Sequence, residues 1–197
     1  MSYIDASLEV FTNNITSLVS MYKESEHERN RSSSELKEKI KTWSEMDQKK
    51  LSHYIFHFEW VLVQSLFVSG FSYFEHFMKD AVEVLGEKSK SEIKLDDIKG
   101  KGFLETYRKY LCLVGNLPTA KPDNEMWEKI LGYRLYRDVI IKNTLMYFNE
   151  IEKVEEHSTY FEKEDPLAHS MNGQILEEFA STVISYMSCI SKELKEL

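Results

Sequence analysis

One stretch, residues 48–85, fixes what this chain can fold into. Tyr54, Phe58, Leu62, Leu66, Phe67, Phe71, Phe74, Met78, Val82 and Leu85 recur there at helical spacing, the signature of one long amphipathic helix. Nine aromatic residues fall between Tyr54 and Phe77. Their spacing, with no basic residue among them, makes the stripe a core rather than a base-stacking surface. A helix this long and apolar must be covered by other helices. Gly70 interrupts it as a point of close helix approach or of a bend, and Gly86 is read as its C-cap. The chain has only 7 glycines and 3 prolines in 197 residues. An all-β sandwich or barrel would need many more turn residues. No GxGxxG and no GxxxxGK[ST] phosphate loop occurs.

The flanking segments agree. Ile4, Leu8, Phe11, Ile15, Leu18 and Met21 step by three and four along residues 3–22, a second amphipathic helix. Residues 23–42 are dense in charge, with Leu36 and Ile40 as their large aliphatics. They read as an exposed, partly helical connector in which Ser32 and Glu35 form a capping box for a separate helix. Residues 87–102 are a polar loop with one short turn. Phe103, Tyr107, Tyr110, Leu111 and Val114 mark a short helix over 103–114, and a loop with Pro118 and Pro122 follows. Asp123 or Asn124 then caps a helix through about residue 152, with Trp127, Leu131, Leu135 and Val139 as its stripe. Leu176, Phe179, Val183, Met187, Ile190 and Leu194 mark the last helix. The expected fold is all-α, an antiparallel helical bundle with an N-terminal helical appendage. The expected division is an N-terminal helix and charged connector over 1–47 and a bundle over 48–197.

The formal charge is −8, from 25 basic and 33 acidic side chains. It is uneven: residues 101–142 carry 8 basic and 5 acidic groups, residues 143–197 carry 4 and 11. The acidic total argues against indiscriminate nucleic-acid binding, because phosphate contacts dominate that affinity. A local RNA site in the basic island stays compatible with it. Cys112 and Cys189 form no disulfide framework and no CxxC pair, and are read as two reduced core thiols. The longest uncharged run, Trp60 to Phe74, falls short of the roughly 20 residues that span a bilayer. Asp5 and Glu9 break the N-terminal apolar pattern of a signal peptide. The expectation is a cytoplasmic protein with no membrane partner.

Six histidines occur. His53 and His57 share a helix face at i, i+4, a spacing that can chelate zinc. Without the glutamate of an HExxH motif they read as ordinary face histidines, and no metal or cofactor is expected. The informative stretch runs from Gly100 to Asn143. It opens Gly100-Lys101-Gly102-Phe103-Leu104-Glu105-Thr106-Tyr107-Arg108-Lys109-Tyr110-Leu111. It ends Tyr133-Arg134-Leu135-Tyr136-Arg137-Asp138-Val139-Ile140-Ile141-Lys142-Asn143. Upstream lies Phe71-Ser72-Tyr73-Phe74-Glu75-His76-Phe77, an aromatic helix with one acid.

In the order and spacing of these segments, over residues 60–145, the chain resembles the HEPN superfamily, helical domains common in prokaryotic toxins and antiviral defence ribonucleases. The branch it looks most like has a Phe-Ser-x-Phe/Leu-Glu helix, a Gly-Lys-Gly segment, a Tyr-Leu helix and an Arg-Asn-x-x-x-His motif. The resemblance implies a homodimer in which two motif helices line one cleft, with Arg137 and Asp138 as the start of the motif. It implies Glu75 as a partner of the motif arginine. It also implies a metal-independent endoribonuclease, with the arginine holding phosphate and the motif histidine moving a proton.

That histidine is absent. The positions after four, five and six intervening residues are Lys142, Asn143 and Thr144. The lysine pKa, about 10.4, is too high for a base at neutral pH without strong desolvation. Asn143 cannot titrate. At about 100° per residue, Lys142 and Asn143 lie about 140° and 240° around a regular helix from Arg137. Arg134, Asp138 and Lys142 form a polar row on the motif helix, which is also what a solvated face with an Arg–Asp pair looks like.

Three functional readings follow. One is a HEPN-like protein of a defence or toxin–antitoxin system that binds RNA, a nucleotide or a cognate protein through a degenerate ribonuclease motif. A second is an active ribonuclease with a variant site, in which Lys142, Asn143 or His76 completes the chemistry around Arg137. A third is a non-catalytic helical adaptor. The candidate site residues are Arg137, Asp138, Lys142 and Asn143, with Glu75, His76 and Arg134 around them.

Overall fold

The computed structural model of the protein describes residues 2–39, 43–142 and 173–197. These form five α-helices: α1 (Tyr3–Lys39), α2 (Glu45–Lys88), α3 (Phe103–Gly115), α4 (Glu125–Lys142) and α5 (Gln174–Glu196). Two single-turn 3-10 helices, Leu95–Asp97 and Pro118–Ala120, lie in the connections. No strand occurs among the described residues. The architecture is the all-α antiparallel helical bundle that the periodicity predicts.

The two long helices begin with the same device. Ser2 and Asp5 exchange bonds, the Asp5 N–H donating to Ser2 Oγ (3.3 Å) and the Ser2 N–H to Asp5 Oδ2 (3.2 Å). Ser44 caps α2, its hydroxyl accepting from the Asp47 N–H at 3.3 Å. Each Ser-x-x-Asp satisfies N–H groups that a helix start leaves orphaned. The cap at Ser44 starts α2 earlier than its apolar stripe does. At the other end α2 runs through Gly86 and stops at Ser89, whose N–H donates to the Leu85 carbonyl. Gly86 is therefore a helix residue and not the cap. Residues 23–39 also differ from expectation: they continue α1 without a break at Ser32. Over residues 23–32 most side chains are exposed, as their dense charge requires.

α2 lies at the centre, touching α1, α3, α4 and α5. The pairing of Phe11 with Phe77, and of Arg29 with Glu59, sets α1 antiparallel to it. The pairing of Asp5 with Lys195 and of Lys23 with Glu177 sets α1 antiparallel to α5. Contacts of Trp127 with Tyr186 and of Tyr133 with Phe179 set α4 antiparallel to α5. The first 22 residues are thus part of the core: Ile4, Phe11, Ile15, Leu18 and Tyr22 are all buried. Met21, assigned to that stripe, is exposed, because 3.6 residues per turn carry the buried face on to Tyr22.

Six aromatic rings of α2, α4 and α5 form the heart of the core. Phe67 packs against Phe71, Tyr133, Tyr136 and Phe179, the last two at 4.9 Å between centroids. Phe71 stacks on Phe179 at 5.9 Å and meets Phe74 edge-on at the same distance. Every α5 residue of the expected stripe is buried. The α4 stripe is displaced: Trp127, Ile130, Tyr133 and Tyr136 are buried, while Leu131 and Leu135 are only partly covered. Phe58 and Phe103 stand exposed. Cys112 is half-buried and Cys189 exposed, so the second is not a core thiol.

The tail of α1 is latched by polar contacts. The Tyr22 hydroxyl accepts from the Gly173 N–H (2.9 Å) and donates to Glu59 Oε1 (3.2 Å). Arg29 meets the same carboxylate at 2.6 Å. At the opposite end of the bundle, the Thr119 hydroxyl and N–H donate to Glu193 at 2.5 and 3.1 Å. The buried Arg108 donates to the Ala120 carbonyl (2.8 Å) and lies over the Trp127 ring. These contacts dock the Pro118–Ala120 turn onto α3 and α5. No helix among the described residues is long and apolar enough to cross a membrane.

Candidate functional site

Arg137 sits in the last turns of α4, facing α2. The site starts from two spacings. Phe71 and Glu75 are at i, i+4 on α2 and so share a face. Asp138 follows Arg137 directly. Packing of Phe67 against Tyr133 and Tyr136 brings that stretch of α4 onto this face. The guanidinium lies 5.5 Å from the Phe71 ring centroid, in cation–π range. Its Nη2 is 3.6 Å from Glu75 Oε2 and its Nη1 donates to Asp138 Oδ1 at 3.0 Å. The Nε is buried and has no hydrogen-bond partner among the described residues.

The three side chains are each about one-quarter to one-third exposed. At that exposure each ion pair contributes no more than about 1 kcal/mol. Arg137 is nevertheless held on three sides, by an aromatic face and two carboxylates. It carries one positive charge against two negative ones. An incoming phosphate meets a positioned donor and, at the same point, two like charges.

The other candidates fall in different places. Arg134 is half-buried one turn earlier on α4. Asp138 pairs with Arg137, its neighbour in sequence. His76 is adjacent to Glu75 but about 100° further around α2. It faces α1, with its Nε2 4.0 Å from Asp80. The structure thus brings together Glu75, Arg137 and Asp138, and turns His76 away from them towards α1. The side chain of Lys142, and all of Asn143, lie outside the described residues, as do the side chains of His53 and His57. Phe71 is a site residue that the sequence pattern alone does not single out. Its i, i+4 relation to Glu75 is the signal that finds it. No group of three metal-ligating side chains comes together among the described residues.

What the fold defines is an all-α bundle with one arginine clamped between its central helix and α4. Neither a family model, nor a curated protein, nor a solved structure matches the chain.

Proposed function

We propose that this chain is a HEPN-like protein of a defence or toxin–antitoxin type, working in the cytoplasm, that binds RNA or a nucleotide around Arg137 without cleaving it. The observation that supports the reading is the juxtaposition of Glu75 and Arg137 across α2 and α4. That pairing is what the resemblance implies for the motif arginine and its acid. The absent motif histidine removes the titrating group that ribonuclease chemistry needs, and no histidine takes its place at residues 142, 143 or 144. In this proposal a phosphate displaces Glu75, the looser of the two partners, and takes the Nη2 edge of the guanidinium. A second copy sets its own α4 across the cleft, so that two arginines face one RNA.

The test is fluorescence polarisation of a labelled single-stranded RNA with wild type, Arg137→Ala and Glu75→Gln. Loss of one charge-assisted contact weakens binding by about tenfold or more in Arg137→Ala. Glu75→Gln removes a like charge facing the phosphate and strengthens binding. Equal affinity in all three proteins would leave Arg137 as a clamp between helices and the chain as a non-catalytic adaptor.

A further inference from the structure

A groove of about 280 Å³ runs between the first turns of α1 and the Tyr73–Asp80 stretch of α2. Tyr3, Ser7 and Val10 line it from α1, and Tyr73, His76 and Asp80 from α2. Asp80 is only 7% exposed. A carboxylate that buried needs hydrogen bonds and a counter-ion. Its Oδ2 accepts from the Ser7 hydroxyl at 2.5 Å. Its Oδ1 stands 4.0 Å from His76 Nε2, beyond hydrogen-bond reach. No lysine or arginine pairs with Asp80 among the described residues. The nearby bases are committed elsewhere, Lys79 to Glu83 and Lys195 to Asp5.

The rim complements this floor. Tyr3, Val10 and Tyr73 are 62%, 60% and 39% exposed, so apolar surface surrounds one buried charge. Tyrosine faces attract cations through the ring quadrupole. The charge of Asp80 first, then burial, the Glu83 charge and a hydrogen bond to Asp80, push the Tyr3 hydroxyl above its ordinary range, so the groove already disfavours a second negative group. One carboxylate is too few ligands for calcium or magnesium. Beside the Ser7 and Tyr3 hydroxyls, the acceptor sites that Asp80 has left call for an N–H donor, which a quaternary ammonium lacks. The volume is near the lower bound, about 300 Å³, of small-molecule sites, enough for a molecule and not for a polymer.

We propose that this groove binds a small organic cation through a primary ammonium or guanidinium group, with Asp80 as its counter-ion and Tyr3 and Tyr73 as its aromatic rim. The site is independent of Arg137, because it opens on the α1 side of α2.

Agmatine, which carries both groups, is the probe, titrated calorimetrically into the full chain. The expected result is saturable one-to-one binding, weakened about tenfold or more in Asp80→Asn, which keeps the shape and an acceptor for Ser7. Tetramethylammonium, with charge but no N–H, binds more weakly than agmatine. Should Asp80→Asn fail to fold, Tyr73→Ala, at a surface position, carries the test and is expected to weaken binding. No saturable binding to wild type overturns the proposal, as does unchanged affinity in the variants. An arginine-bearing peptide that binds more tightly than agmatine also overturns it, and assigns the groove to a protein partner.

Discussion

Two glycines in the same helix should respond to alanine with opposite sign. Gly70 and Gly86 both lie inside α2. Replacing a helix-interior glycine by alanine gains up to about 1 kcal/mol of helix propensity. At Gly86 the gain is free: the added methyl meets only the Tyr110 hydroxyl at 3.6 Å, an ordinary contact. Gly70 is where three helices converge. A Cβ there stands 3.0 Å from Phe179 Cε1, 3.4 Å from Leu18 Cδ1 and 3.5 Å from Ile15 Cδ1. The Phe179 ring is fully buried and boxed by Phe67, Phe71 and Tyr133. It has nowhere to retreat, and forced overpacking costs about 1–3 kcal/mol. The net at Gly70 is a loss of about 1 kcal/mol, a fall in Tm of about 2–4 °C for a chain this size. Gly86→Ala should raise Tm by about 2 °C. Gly70→Leu, with three more carbons than alanine, should cost about 3 kcal/mol or more. Thermal unfolding followed by circular dichroism at 222 nm reads all three. A Gly70→Ala protein as stabilised as Gly86→Ala would refute the packing described around Phe179.

Two further predictions concern the contacts of α1. Tyr22→Phe removes the acceptor for the buried Gly173 N–H and the donor to Glu59. Leaving that N–H unpaired should lower stability by about 1–3 kcal/mol, measured by urea unfolding. Asp5 is held down at about 2 by Lys195 and by Ser2, against an ordinary value of 3.8. Its folded pKa is below its unfolded one, so its contribution is complete above about pH 4 and is lost as pH falls towards 2. Asp5→Asn should therefore flatten the fall of Tm over that window, and an unchanged acid limb would place the stabilisation elsewhere.

Much of the fold is legible in the residues because helical burial is periodic. The stripe from Leu176 to Leu194 is buried at every position, and the stretch from Leu66 to Leu85 likewise marks the inner face of α2. The errors have physical causes. In α4, tyrosines occupy the buried face and leucines its margin, so a search for aliphatics places the stripe on the wrong side of Trp127. At Ser32 a capping pattern occurs, but a cap needs non-helical backbone before it, and α1 passes through. Gly86 reads as a stop because glycine ends many helices, while Ser89 ends this one. The site is legible only in part. The pairing of Glu75 with Arg137 follows from the resemblance. The cation–π contact with Phe71 follows from i, i+4 spacing. The separation of His76 from Arg137 follows from the 100° step between neighbours, which adjacency in sequence conceals. The Ser7–Asp80 groove joins residues 73 positions apart, and no local pattern announces it.

The proposed function is RNA binding around Arg137 without cleavage, since the positions where the resemblance places a histidine hold Lys142, Asn143 and Thr144. Prolonged incubation of end-labelled single-stranded RNA with wild type and Arg137→Ala, run in parallel on native and denaturing gels, tests binding and cleavage together. Full-length RNA is expected throughout, with a shifted band for wild type that Arg137→Ala loses. Cleavage products formed by wild type and absent with Arg137→Ala would contradict it and make the chain an active ribonuclease.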